Sequence, residues 1–227
     1  MTSLRPPRGP YQLFGKRCLD LAIALPLLVL TAPLMLLIGI VIYLKLGSPI
    51  LFRQMRVGKG EQIFMLTKFR TMTDARDVSG ELLPDGRRLT PLGLFLRRCS
   101  LDELPQLLDV VRGRMSLVGP RPLLVRYLPR YDERQRCRHL VLPGVTGLAQ
   151  VGGRNRLGWQ DRFRLDLDYV ERQSLGLDLQ ILWRTLAGLA DTSSTLPGGG
   201  DEVEEFWGSA GRPHEKGTLT DTMEQHR

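Results

Sequence analysis

Residues 21–44, LAIALPLLVLTAPLMLLIGIVIYL, limit more than any other stretch what this chain can fold into, because they carry no charge. A helix of that length reaches about 36 Å, against roughly 30 Å of hydrocarbon in a bilayer. A secretory signal would have a shorter apolar core and a small-residue cleavage site. Here the apolar run ends at Lys45 and continues into strand-like and basic segments, so a retained membrane segment is expected.

Basic residues flank both ends of that segment: Arg5, Arg8, Lys16 and Arg17 before it, and Lys45, Arg53, Arg56 and Lys59 after it. Cationic flanks stay in the cytoplasm, which favours a segment that enters and returns on the same side. Pro26 and Pro33 each remove a backbone donor, so a kink is expected, with a break near Ala32–Pro33. A kinked spanning helix satisfies the same residues. The net charge of +8 calls for an anionic partner: nucleic acid, an acidic membrane surface or phosphorylated substrates. Three widely spaced cysteines, Cys18, Cys99 and Cys137, lack C-x-x-C spacing and read as reduced structural thiols.

Residues 1–15 read as a basic arm and 16–46 as the membrane segment. ILFRQMRV and GKGEQIFMLTKFRTM read as a β-hairpin turning at Gly58-Lys59-Gly60, with apolar alternation at Ile63 and Met65. Residues 73–90 are polar and loop-like. Residues 91–112 are helical in one or two pieces, and 123–140 fit an arginine-rich amphipathic helix. PGVTGLAQVGGRN is too glycine-rich for a long helix. Residues 159–173 and 177–190 are helical, the latter apolar enough to lie on a bilayer. The unit 47–190 is thus a soluble domain facing the cytoplasm, and 191–227 reads as a mobile tail.

The chemistry concentrates in Ser100-Leu101-Asp102-Glu103. Ser-x-x-Glu is a helix capping box, in which Glu103 bonds the Ser100 N–H and Asp102 is a first-turn acid. The same pair can also act. An ionised carboxylate can attack phosphorus, and two adjacent acids can hold a divalent cation against a diphosphate. Lys68 and Arg70 in KFRTM, Arg97 and Arg98 before the acids, Arg121 between two prolines and Arg154 after two glycines supply phosphate-gripping cations. His139 and His214 lack zinc spacing, and no Walker loop or G-x-S-x-G elbow occurs. Aromatic residues, 7% of the chain, do not interleave with the basic clusters, so no nucleic-acid stacking platform is expected. A membrane-anchored binding or scaffold protein remains the non-enzymatic alternative.

From Lys16 to Ala190 the order KRCLD, FRQMRVG, KFRTM, SLDELPQL, GRMSLVGPRP, PGVTGLAQVGGRN, LDLDYV and LDLQIL resembles the bacterial sugar transferases. These are monotopic phosphoglycosyl transferases that begin glycoconjugate assembly. GELLPDGRRLTPLG and RPLLVRYLPRY resemble the short members that transfer a bacillosamine-type phospho-sugar. The resemblance implies an α+β monotopic fold: a re-entrant N-terminal helix, surface amphipathic helices and a small β-hairpin. It implies that Asp102 is the nucleophile toward a UDP-sugar, with UMP leaving and polyprenyl (undecaprenyl) phosphate accepting the phospho-sugar. It also implies Mg2+ at Asp102 and Glu103, active-site places for Lys68, Arg97, Arg121, Arg154 and Asp166, and a location on the cytoplasmic face of the bacterial inner membrane. The chain departs from the family pattern at Ala32-Pro33, Leu142 and Gly152.

Overall fold

The computed structural model describes residues 4, 6–153, 157–190 and 205–208, with backbone alone at 189 and 190. After a π-helical turn at Tyr11–Gly15, α1 (Lys16–Leu46) runs as one hydrogen-bonded helix through both prolines. The expected break into two separate helices is absent. Thr31 donates to the Leu27 carbonyl (2.7 Å), one turn back from itself, and not to the Val29 carbonyl that Pro33 leaves free.

The two ends of α1 are buried and its middle is not. Ala24 is fully buried among Leu107, Val110 and Met115, and Ile38 and Ile42 are buried among Phe69 and Leu96. Between them, residues 25–37 contain no buried side chain, and Val29 and Leu30 are three-quarters exposed. Burial of Ile42 alone is worth about 1.5–3 kcal/mol. Polar ties fix the first turns. Lys16 lies 2.8 Å from Asp178 and 3.3 Å from Asp20, and Arg17 donates to the Val110 and Val111 carbonyls. Asp20 in turn accepts from the Ser116 hydroxyl and the Leu117 N–H, each at 3.0 Å.

The hairpin expected from sequence is present as β1 (Leu51–Val57) and antiparallel β2 (Ile63–Phe69), and its turn places Gly60 at φ 61°. The alternation falls on the other phase. Phe64 and Leu66 enter the core, while Ile63 and Met65 stay 49% and 40% exposed. The loop 73–90 holds one short helix, α2 (Asp85–Arg88), and α3 (Pro91–Arg98) follows, capped by Thr90. A 3-10 turn, Leu101–Gln106, leads into α4 (Leu107–Val111).

A second, parallel pair joins β3 (Ser116–Val118) to β4 (Gly144–Thr146). The chains meet closely here: a Cβ on Gly119 would sit 2.3 Å from the Leu142 carbonyl oxygen, so only glycine fits. The expected single helix over 123–140 is replaced by a 3-10 turn at Val125–Arg130, α5 (Glu133–Arg136) and another 3-10 turn at Cys137–Leu140. Pro129 disfavours the helical conformation at Leu128, and Asp132 opens a new helix through a capping box with Gln135. α6 (Leu148–Val151), α7 (Trp159–Arg172) and α8 (Leu175–Ala190) complete the domain. The outer face of α8 exposes Leu175, Leu179, Trp183 and Leu186, a stripe at helical spacing. The fold is α+β, with one long apolar N-terminal helix compatible with monotopic anchoring.

Candidate active site

The SLDE stretch is not the capping box its spacing predicts. Ser100 takes a left-handed conformation (φ 55°, ψ 20°), and its side chain caps nothing. The turn that follows, with Pro105 inside it, winds as a 3-10 helix rather than an α-helix. Glu103 is thereby released from its expected role, and its carboxylate accepts a 2.7 Å hydrogen bond from Arg121.

Asp102 is turned inward and is 5% exposed. Leu104, two residues on, packs against both cores that hold the ends of α1, so this turn is tied to both ends of the membrane helix. β2 packs against the same turn and brings Lys68, on the strand face shared with Phe64 and Leu66. Burial pushes the Asp102 carboxyl up to about 6 and Glu103 adds to the rise, while Lys68, Arg97 and Arg121 oppose it. Lys68 is held below its ordinary range by burial. Among the described residues no hydrogen bond engages the Asp102 carboxylate.

Three of the expected cations, Lys68, Arg97 and Arg121, therefore lie near enough to Asp102 for their charge to act on its carboxyl. Arg97 is oriented by a 3.0 Å hydrogen bond to the Thr71 hydroxyl. Arg70 is placed elsewhere. Its guanidinium bonds the Met72 and Ser48 carbonyls and pairs with Asp74 at 2.6 Å, which ties the hairpin to the end of α1. Asp166 is engaged by Arg138 instead. It is 4% exposed and receives two hydrogen bonds from Arg138, at 3.0 and 2.6 Å. Arg154 lies outside the described residues.

Sequence reading missed two arginines that build this wall. Arg138 donates to the Arg121 carbonyl at 2.7 Å, and Arg56 donates to the Pro122 carbonyl at 3.2 Å, so the Pro-Arg-Pro turn is held from both sides. The signal for Arg56 was strand period: positions 52, 54 and 56 share the face of Lys68. No local pattern marks Arg138, whose partner is 28 residues away.

His139 is buried beside Arg138, and that burial, with the adjacent guanidinium, lowers its imidazole to about 3. The unfolded chain takes up this proton below about 6.5 and the folded chain does not, so stability is full above that pH and falls on acidification. Between pH 7 and 5 this one group is expected to remove about 2 kcal/mol. A His139→Gln variant should flatten that part of the pH dependence of the urea midpoint. Equal slopes in the two proteins would exclude His139 as the source.

The acids also bear on metal binding. Magnesium is held by one or two carboxylates together with substrate phosphates and water. Asp102 and Glu103 fit that pattern, and no cluster of three or more acidic, histidine or cysteine ligands occurs among the described residues. They suit a cation completed by a phosphorylated substrate more than one caged by protein alone.

The family model for the bacterial sugar transferases matches residues 11–191. An uncharacterized sugar transferase, EpsL, of Bacillus subtilis is 48% identical over 194 residues, covering 86% of this chain and 96% of that protein. The UDP-glucose:undecaprenyl-phosphate glucose-1-phosphate transferase of Caulobacter vibrioides is 43% identical over 79% of this chain and 71% of its own. The undecaprenyl-phosphate galactose phosphotransferase of Salmonella typhimurium is 37% identical over 76% of this chain, which spans 40% of that longer protein. Matched along the membrane helix, the acid-bearing turn and the arginine wall alike, the chain belongs to the bacterial sugar transferase family.

Proposed function

We propose that this enzyme transfers a sugar-1-phosphate from a UDP-sugar to polyprenyl phosphate through a covalent intermediate on Asp102. The observation that carries the reading is a nearly buried carboxylate, without a hydrogen bond among the described residues, within the electrostatic reach of Lys68, Arg97 and Arg121. In the first step an Asp102 oxygen attacks the sugar-linked phosphorus. The bond from that phosphorus to the bridging oxygen breaks, and UMP leaves with the electron pair. In the second step a phosphate oxygen of the polyprenyl phosphate attacks the same phosphorus. The Asp102–phosphorus bond breaks, and the product is a polyprenyl diphospho-sugar.

Lys68, Arg97 and Arg121 neutralise charge on the transferred group, which is where most of the barrier to phosphoryl transfer is lowered. Asp102 and Glu103 are the residues that would hold magnesium, which supplies charge neutralisation on the diphosphate. Glu103 also holds Arg121 at 2.7 Å and so sets the direction of its fork.

A re-entrant path for α1 belongs to the same proposal and requires the single helix to bend at Pro26 and Pro33 rather than break. Ala24 and Ile38, on either side of its unburied middle, rest on one soluble domain, which supports entry and exit on a single face. The apolar stripe of α8 supports a second, shallow contact with that bilayer, and cationic flanks support a cytoplasmic face at the bacterial inner membrane. The donor sugar is proposed as an N-acetylated 6-deoxy amino sugar of the bacillosamine type. UDP-glucose and UDP-galactose are the comparison donors, since glucose and galactose appear in the names of the relatives.

The test is intact mass. Protein incubated with a UDP-sugar panel and magnesium, without lipid, should gain one phospho-sugar and release UMP. Adding polyprenyl phosphate should remove the adduct. UMP release that needs the lipid present, with no adduct at any time, would replace the two-step reading by direct transfer.

A further inference from the structure

Beyond the expected tail boundary at 191, residues Glu205–Gly208 are packed against the domain. Phe206 is 2% exposed and sits among four rings, with centroids at 5.0 Å from Phe163, 5.4 Å from Trp159, 5.7 Å from Tyr131 and 5.9 Å from Tyr127. Arg130 fastens the segment. It donates to the Phe206 carbonyl and to the Glu205 carboxylate (2.9 Å), and its guanidinium lies 4.4 Å from the Trp207 ring. Arg126 reaches the same carboxylate at 3.5 Å.

This aromatic nest touches the phosphate-facing wall. Phe163, against which Phe206 packs most closely, lies 5.7 Å beneath the Arg138 guanidinium. Arg138 donates to the Arg121 carbonyl. Tyr127 and Arg130 belong to the 3-10 turn that follows the Pro-Arg-Pro mount of Arg121. A chain of contacts thus runs from Phe206 through Phe163 and Arg138 to Arg121.

We propose that the Glu205–Gly208 segment is a C-terminal strap, with Phe206 a positioning residue that sets Arg121 for the transferred phosphate. This rests on the phospho-sugar transfer reading, since Arg121 has a substrate to meet only on that reading. A ring buried among four others anchors the strap, and a two-arginine clasp on Glu205 fixes its direction. Without it, Phe163 and Tyr131 lose a packing face, and Arg138 loses the rigid platform that holds the Arg121 backbone.

The test uses full-length protein in nanodiscs and compares Phe206→Ala, Phe206→Leu and the clasp variant Glu205→Gln, which leaves the buried ring intact. Phe206→Ala is expected to lower kcat/KM for the UDP-sugar about tenfold, mainly through a raised KM, with Phe206→Leu recovering most of it and Glu205→Gln lying between. In an Arg121→Ala background the same Phe206→Ala change should cost less than about twofold, because it acts through a group already removed. Hydrogen exchange should quicken at residues 121–138 and not at 107–118.

Equal losses in both backgrounds, or a lowered melting temperature with unchanged kcat/KM, would overturn the strap as a positioning device. A lowered KM would make the segment a competitor for the substrate site, which also overturns it. If wild-type protein turns over no UDP-sugar, the transfer reading fails by itself. The exchange pattern then still decides whether the strap orders the Arg121 turn, and no change at 121–138 would refute that.

Discussion

Replacing Asp102 by Asn should lower turnover by roughly 10³-fold or more, while the protein stays as stable as wild type or becomes more stable. The two halves of this prediction come from the same observation. Asp102 is 5% exposed, and its carboxyl is raised to about 6, first by desolvation and then by Glu103. An acid whose folded pKa lies above its unfolded value near 3.9 contributes most to stability below that value. The contribution is lost as pH rises to 6, since the fold disfavours the ionised form. At pH 7 the ionised group therefore costs the fold something of the order of 1–3 kcal/mol. Asparagine has nearly the same shape and no charge, so it relieves that cost, which is already net of the attraction of Lys68, Arg97 and Arg121. Melting in a chelating buffer and UMP release with magnesium measure the two halves separately. An Asp102→Asn protein that keeps full turnover would remove the nucleophile assignment. One that melts far below wild type would show that Asp102 also holds the fold together.

The membrane segment, the hairpin and the two C-terminal helices were legible because each depends on a local period or on composition. Uncharged length marks α1, a two-residue alternation marks β1 and β2, and helical spacing marks α7 and α8. Even there the sequence left the phase open. Ile63 and Phe64 are both apolar, and only the packing of Leu107 and Val110 decides that Phe64 goes inward. Ser100-x-x-Glu103 shows how a local signature loses to its surroundings. Ser100 turns left-handed and Arg121, 18 residues on, captures the glutamate, whereas the box at Asp132–Gln135 forms with both of its hydrogen bonds. The expected site divides along the same line. Lys68, Arg97 and Arg121 act on Asp102, while Arg70 and Asp166 are absorbed by partners that no spacing announces.

Asp166 supplies the second large effect, and it is one of stability. Arg138 and Asp166 are both almost wholly buried, 2% and 5% exposed at their side chains, and share two hydrogen bonds. Each has left water for the other. Burial pushes the Asp166 carboxyl up, and the Arg138 guanidinium pulls it back. Asp166→Ala would leave a guanidinium buried with no counter-charge, a change that typically costs about 3–5 kcal/mol, a large part of the roughly 5–15 kcal/mol that holds a domain folded. Removing both charges together is far milder, so Asp166→Leu with Arg138→Met should recover most of the loss in the urea midpoint. Arg138→Lys keeps the charge but gives up the planar fork that serves Asp166 and the Arg121 carbonyl at once, so it should melt low and bind donor poorly. The measurement also separates two roles for Asp166. A carboxylate that touches substrate would, on removal, raise the donor KM and leave the midpoint where it was. A carboxylate that neutralises Arg138 moves the midpoint first and affects the donor only through Arg121, and the geometry predicts this second pattern.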